Sequence, residues 1–252
     1  MSRLASAPMS STVLAVDTSN NRTTVALRSG PELRFHAECS VRDNLGWLRV
    51  RVGDALRVAG LDSLEALDAL AVAHGPGGLT GVRVGVGFVQ ALSLASGCPV
   101  VGVNSLSAMA WSTWQRVRDD AALAAHGRQG GLSVALDARM QQLYLAEWSW
   151  PLADAGRALT RAADRVIAQE RVSQHPAPTI IAGPGWDLCR GRLPQAHWVP
   201  NIAPDAAAVA ALAQLMTPQP ARALRVHYLR GVGDVAQIPG RMQTPPSGRP
   251  SR

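Results

Sequence analysis

The apolar positions of this chain first fall into short runs: Val13–Asp17, Thr23–Leu27 and Leu33–Cys39 are separated by Asn, Ser, Gly and Pro. That punctuation predicts strands joined by tight turns, an antiparallel meander. The period then changes. Leu45, Leu48, Val52, Leu56 and Ala59 recur at spacings of three and four, which predicts a helix over Asn44–Ala59 with Gly60 as its stop. The apolar run Ala69–Ala73 reads as a strand entering a glycine-dense turn. A helix over Val82–Ser96 and a strand over Val100–Val103 follow.

This order, a meander followed by helix, strand, helix and strand, suits a layered α/β domain of the ribonuclease-H-like kind. The second half repeats part of the plan. The segment VLAVDTSNNRTTVAL around Asp17 is echoed by SVALDARMQQLYLAEW around Asp137. Gly75–Gly77 likewise has a counterpart in Gly183–Gly185, in the same order relative to its own Asp. Asp-ended strands and Gly-Pro turns are common in α/β chains, so the argument rests on the two features recurring together. Duplicated ribonuclease-H-like halves with mixed sheets flanked by helices make an actin-like fold. We expect a flexible extension over 1–11, a first subdomain over 12–115, a second over 116–230 and a disordered tail over 231–252, clearest from Pro239 onward. A last, alanine-rich helix is expected over Ala203–Met216, entered through Pro204 and Asp205.

Composition narrows the functional classes. At 252 residues with 47% hydrophobic content and a mean hydropathy of +0.03, the chain fits a globular protein with one large core or two modest ones. We find no uninterrupted apolar run of membrane-span length and no signal-like core in Met1–Thr12, and expect a cytoplasmic protein. Cys39, Cys98 and Cys189 are widely spaced and form no CxxC, so they are expected to be buried thiols. All 25 basic residues are arginine, which excludes a P-loop or Schiff-base lysine. The net charge of +7 suits a partner of nucleic acid, but the arginines are scattered rather than clustered with aromatics.

Candidate chemistry is sparse. The six histidines, at 36, 74, 126, 175, 197 and 227, show no HExxH or HxxxH spacing, and no GxSxG elbow occurs. We therefore assign no catalytic residue and no metal site. Trp111 with Trp114, and Trp148 with Trp150, have the spacings of a helix face and a strand face and are expected in the core or on amphipathic faces. The segment from His74 to Gly85, HGPGGLTGVRVG, is neither a Walker loop nor a dinucleotide fingerprint. Two readings stand: a helix N-terminus facing an anion, or close packing. Gly81, Gly85 and Gly87 each cost on the order of 1 kcal/mol inside a helix, so small size must gain something. Close approach of another helix, or docking of a partner on Gly81, Gly85 and Leu92, is the expected gain. Asp17, Thr18 and Ser19 are candidates to position a nucleotide phosphate, although the same residues make ordinary Asx and Ser/Thr turns. Asp137 heads the corresponding turn, which lacks a glycine.

Taken together, LAVDTSNNRTTVAL, HGPGGLTGVRVGVGFVQALSLASGCPVVGVNSLSAMA, VALDARMQQLYLAEW and the terminal VHYLR resemble the TsaB/YeaZ family. The match is good over 12–148 and weak beyond. The resemblance implies an actin-like fold and a non-catalytic subunit. Its implied partner is a TsaD homologue, which carries the metal and transfers threonylcarbamoyl to adenosine 37 of tRNAs reading ANN codons. A TsaE ATPase completes the implied assembly. ATP or ADP and metal are then expected in the partner subunits and none on this chain alone, with tRNA met only through the complex and no membrane involved. The partner interface is expected on the two first-half helices, at Leu45, Leu48, Val52, Leu56, Gly81, Arg83, Gly85 and Leu92. The sequence departs from the family pattern at Asn44-Leu45-Gly46, where His-Ser-Glu is usual, at Gly78-Leu79 for Ser-Phe, and at Gln90 for Lys. The alternatives are a catalytic actin-like ATP-binding transferase or kinase, which needs two competent phosphate turns, and a regulatory homodimer.

Overall fold

The structure, a computed structural model, describes residues 11–40, 44–118, 120, 131–149, 160–161, 163–174 and 180–229. The expectations for the extension before Ser11, the tail over 231–252, His126, His175 and Trp150 lie outside the described residues.

The meander forms as the punctuation predicts: β1 (Thr12–Asp17), β2 (Thr23–Ser29) and β3 (Glu32–Cys39), followed by α1 (Asn44–Ala59). Next come β4 (Ala69–Ala73), α2 (Leu79–Ser96), β5 (Val100–Val103) and α3 (Ser105–Arg118). These strands make a five-stranded sheet in the order β3-β2-β1-β4-β5. The meander pairs are antiparallel, whereas β4 and β5 run parallel to β1.

In the second half, β6 (Leu132–Arg139), β7 (Gln142–Ser149), β8 (Thr160–Arg161), β9 (Arg165–Ala168), β10 (Ile180–Ala182) and β11 (His197–Val199) form a sheet ordered β11-β10-β6-β7-β8. β9 pairs β7 beyond β8, so the two short strands share one edge. Read from that edge, the order matches the first sheet, with β6 in the place of β1 and β10 in that of β4. The duplication expected from the paired motifs is thus present as topology, and the fold is the duplicated ribonuclease-H-like, actin-like arrangement. The helices are not duplicated equally. Where the first half has α2, the second has the single turn α4 (Pro184–Asp187).

β1 and β4 are continuous apolar runs because helices cover both faces of the first sheet. Leu14, Val16, Leu27, Leu70 and Val72 face α1 and α2 and meet Leu48, Val52, Val82, Val86 and Val89. Val13, Ala15, Ala26, Ala69, Ala71 and Ala73 face the other way and meet α5 (Ala206–Ala213) through Ala206, Ala208, Val209, Ala210 and Ala213. Small side chains on both partners let this helix lie close to the sheet. α3 turns Leu106, Met109 and Val117 toward Leu132, Val134, Trp148 and Ile180 of the second sheet. Helices α3 and α5 contact one another, and each serves the sheet of the other half.

Several boundaries differ from expectation. α2 begins at Leu79, three residues before Val82, because the helix starts directly behind Gly78. The last helix covers only Ala206–Ala213. Asp205 is its N-cap, its carboxylate accepting from the Ala207 amide, so the preceding residues are extended. Cys98 and Cys189 are buried as expected, and burial pushes the Cys98 thiol up to about 11. Cys39 is only half-buried, because it ends the edge strand β3. Trp114 and Trp148 are core residues. α2, although Arg83 and Gln90 interrupt its apolar run, meets the length and average composition of a membrane span. Its buried residues Val82, Gly85, Val86, Val89 and Ser93 lie against the sheet, and its other side is apolar as well.

Candidate interdomain cleft and glycine-loop turn

The two Asp-ended strands bring their turns to one place. A cleft of about 1190 Å³ lies between the halves, lined by Thr18–Arg22 from one side and Leu136–Met140 from the other. The glycine loop, Val226–Leu229, Tyr144, Pro184, Leu188 and Ala203 complete the lining, which is largely apolar.

On the first side the turn is closed. The Ser19 amide donates to Asp17 Oδ1 at 2.6 Å, the Thr18 hydroxyl donates to the Gly81 carbonyl at 2.7 Å, and the Gly78 amide donates to the Ser19 carbonyl at 2.7 Å. This is where the glycines are needed. A Cβ at Gly81 would lie 2.0 Å from the Thr18 carbonyl oxygen, one at Gly85 2.3 Å from Thr18 Oγ1, and one at Gly77 2.4 Å from the Ser19 oxygen. The gain expected from another helix is therefore supplied by the Asp17–Ser19 turn of the same half. Gly87 faces open space and has no such neighbour.

Asp17, Thr18 and Ser19, the candidates for holding a phosphate, are buried beneath this loop. Amides of Ser19 and Gly78 that an oxyanion would need are already committed to the turn. The Asp17 carboxyl is pushed up to about 6 by loss of water, with the Ser19 amide offsetting part of that shift. Its second oxygen, Oδ2, meets no donor among the described residues.

Asp137 occupies the opposite turn. Its Oδ1 accepts from the Arg139 amide at 2.7 Å and its Oδ2 from the Arg139 guanidinium at 3.1 Å. Without a glycine, the backbone still turns, through left-handed conformations at Arg139, Met140 and Gln141. Among the described residues no cluster of three or more His, Cys, Asp or Glu has the placement of a metal site.

The residues expected at a partner interface separate into two groups. Leu48, Val52 and Gly85 are buried in the first core, and Leu56 and Leu92 are packed against it, so their apolar surface is already used within the chain. Gly81 faces the Thr18 turn. Leu45 and Arg83 remain on the surface. The outward side of α2 is formed instead by Thr80, Arg83, Gly87, Ala91, Leu94 and Ala95, with Leu94 79% exposed. Periodicity found the helices and named their inner faces, since inner and outer sides of α2 are both apolar.

Sequence reasoning missed a polar group beside the cleft. His74, Asn104, Asp164 and His227 come from separate segments and meet through hydrogen bonds. The position of His74 directly before the glycine loop, and the terminal VHYLR, were the available signals; a search for metal spacing passed over both.

A family model described as "TsaD: tRNA N6-adenosine threonylcarbamoyltransferase" matches residues 40–183. The "tRNA threonylcarbamoyladenosine biosynthesis protein TsaB" of Escherichia coli is 32% identical over 180 residues, covering 69% of this chain and 71% of that protein. The protein of the same name from Haemophilus influenzae is 33% identical over 136 residues, covering 54% and 53%. Among solved structures, "YeaZ from Pseudomonas aeruginosa" matches with a TM-score of 0.70 and 27% identity, covering 87% of this chain and all of that one. With sequence similarity spanning more than two thirds of both chains and both halves of the fold shared, this chain belongs to the TsaB/YeaZ family.

Proposed function

We propose that the chain is a non-catalytic scaffold subunit in the formation of threonylcarbamoyladenosine at position 37 of tRNAs reading ANN codons. It supports a TsaD-type threonylcarbamoyltransferase, with a TsaE ATPase in the same assembly. Nucleotide and metal belong to those partners, and tRNA is met through the complex. Membership of the TsaB family supports the pathway.

The observation that carries the scaffold reading is the outward side of α2. Among its exposed residues only Arg83 is charged, while Leu94, Ala91 and Ala95 present apolar surface. α1 lies over the same face of the sheet and adds exposed Leu45, Val50 and Val58. Exposed apolar surface of this kind marks an interface. The closed Asp17–Ser19 turn, its amides committed within the chain, weighs against an ATP-using transferase or kinase.

The test is size-exclusion co-elution of the purified chain with the TsaD homologue of the same genome, with and without TsaE and ATP. Gly87→Arg is the informative variant, because position 87 faces open space and a large cation there leaves the core untouched. We expect a heterodimer with the native chain, and none with Gly87→Arg at an unchanged melting temperature. Failure of the native chain to associate, or equal association by the variant, overturns the reading. A homodimer lost on the same substitution, with no heterodimer, favours the regulatory alternative.

A further inference from the structure

With α5 the chain has returned to the first half, and the segment that follows stays there. Gln219 pairs with Val100 on the outer strand of the first sheet. Ala221 and Leu224 are buried with α2, whose Gln90 amide donates to both their carbonyls at 3.0 and 3.2 Å. The next residues cross the end of the cleft. The His227 amide donates to the His74 carbonyl at 2.8 Å, and the His74 ring nitrogen Nδ1 lies 2.9 Å from the Arg225 carbonyl. The Arg83 guanidinium donates to the Tyr228 hydroxyl at 2.8 Å. Gly75 is shaped to this path: a Cβ there would lie 2.7 Å from the His227 carbonyl oxygen.

The same segment also reaches the second half. His227 Nε2 lies 2.9 Å from Asp164 Oδ2, and that oxygen accepts from the Asn104 amide at 2.7 Å. Asn104 follows β5 and caps the start of α3 by accepting from the Ser107 amide. The Asp164 side chain is only 4% exposed. A carboxylate removed from water costs several kcal/mol unless it is held by donors, and removing one donor leaves that cost uncompensated. Two of its donors come from the first half and from the returning segment.

We propose that Arg225–Leu229 is a clasp, with Asp164 as its catch, that holds the two halves at one angle and sets the width of the cleft. Its anchors on the first half are His74, at the entrance to the glycine loop, and Arg83, on α2. The clasp therefore ties the position of the glycine loop to the second half. It belongs to the isolated chain and stands whether or not α2 docks a partner.

The experiment uses the full chain carrying Asp164→Asn, with Tyr228→Phe as a milder second variant at a half-exposed side chain. Spin labels at Asn21→Cys and Leu188→Cys, on opposite lips of the cleft in a Cys39→Ser background, report its width. Amide hydrogen exchange reports local opening. We expect the distance distribution of Asp164→Asn to broaden and lengthen. Exchange over 75–81 and at His227 should rise by about tenfold or more, with β1 unchanged. Tyr228→Phe should move the same amides less, and it carries the exchange test alone if Asp164→Asn does not fold. An unchanged distance distribution with unchanged exchange overturns the clasp. So does a rise in exchange shared equally by β1, which would make Asp164 a general stabiliser.

Discussion

Asp17 ends its strand with a carboxyl group that water does not reach. Burial raises it from the ordinary 3.8 to about 6. Because the folded value is the higher one, the stability gained by holding the proton is fully present below 3.8. It is lost as pH rises through about 6, and the loss at pH 8 is on the order of 2–3 kcal/mol. Asp17→Asn keeps an acceptor for the Ser19 amide and removes the charge. We expect it to melt higher than the native chain at pH 8, with the gap closing toward pH 4; an equal gap at both would reject the argument. The turn itself was legible, since Asp, Thr and Ser at a strand end make local hydrogen bonds. Its burial was not, because the covering residues Gly77, Gly78 and Gly81 lie far along the chain.

Within α2, glycines of one type do opposite things. Gly81 and Gly85 face Thr18 at distances that leave no room for a methyl group, whereas Gly87 faces solvent. We expect Gly85→Ala to destabilise the chain by about 1–3 kcal/mol through overpacking, despite the better helix propensity of alanine. Gly87→Ala should stabilise it by up to about 1 kcal/mol. Urea melts of the two variants decide the point, and a shared sign would show that helix propensity, not the Thr18 contact, sets the need for glycine. Helices α1 and α2 were readable from period alone. Leu48 and Val52 of α1 and Gly85 of α2, expected at a docking face, lie in the core, and α2, apolar on both sides, has no polar side by which period alone could orient it.

Across the molecule, the chain crosses between its halves twice. α3 supports the second sheet, and α5 with the segment to Leu224 supports the first. The first half therefore needs residues from the far end of the chain to finish its core. A chain ending at Ala203 lacks α5 and the cover supplied by Ala221 and Leu224, and exposes Ala15, Ala26, Ala69, Ala71 and Ala73. We expect loss of cooperative melting and of slow amide exchange in β1 and β4, although all of the first sheet's strands remain present. Native-like protection in those strands would show that the first half folds without the crossing.

Local pattern was sufficient for the strands of the first half, for β6, β7 and β10 of the second, for α1 and most of α2, and for the duplication; β8, β9 and β11 were not read from it. Each feature that was read depends on side-chain period and turn residues that are neighbours in sequence. The family resemblance was likewise carried by contiguous motifs. The closing of the glycine loop over Asp17, the crossing of α3 and α5, and the meeting of His74, Asp164 and His227 were settled only when distant segments packed. The physical reason is that burial and hydrogen-bond pairing are properties of what lies opposite a residue in space. Asp164 carries no local signature, and its role arises because burying a carboxylate requires donors wherever the fold can bring them.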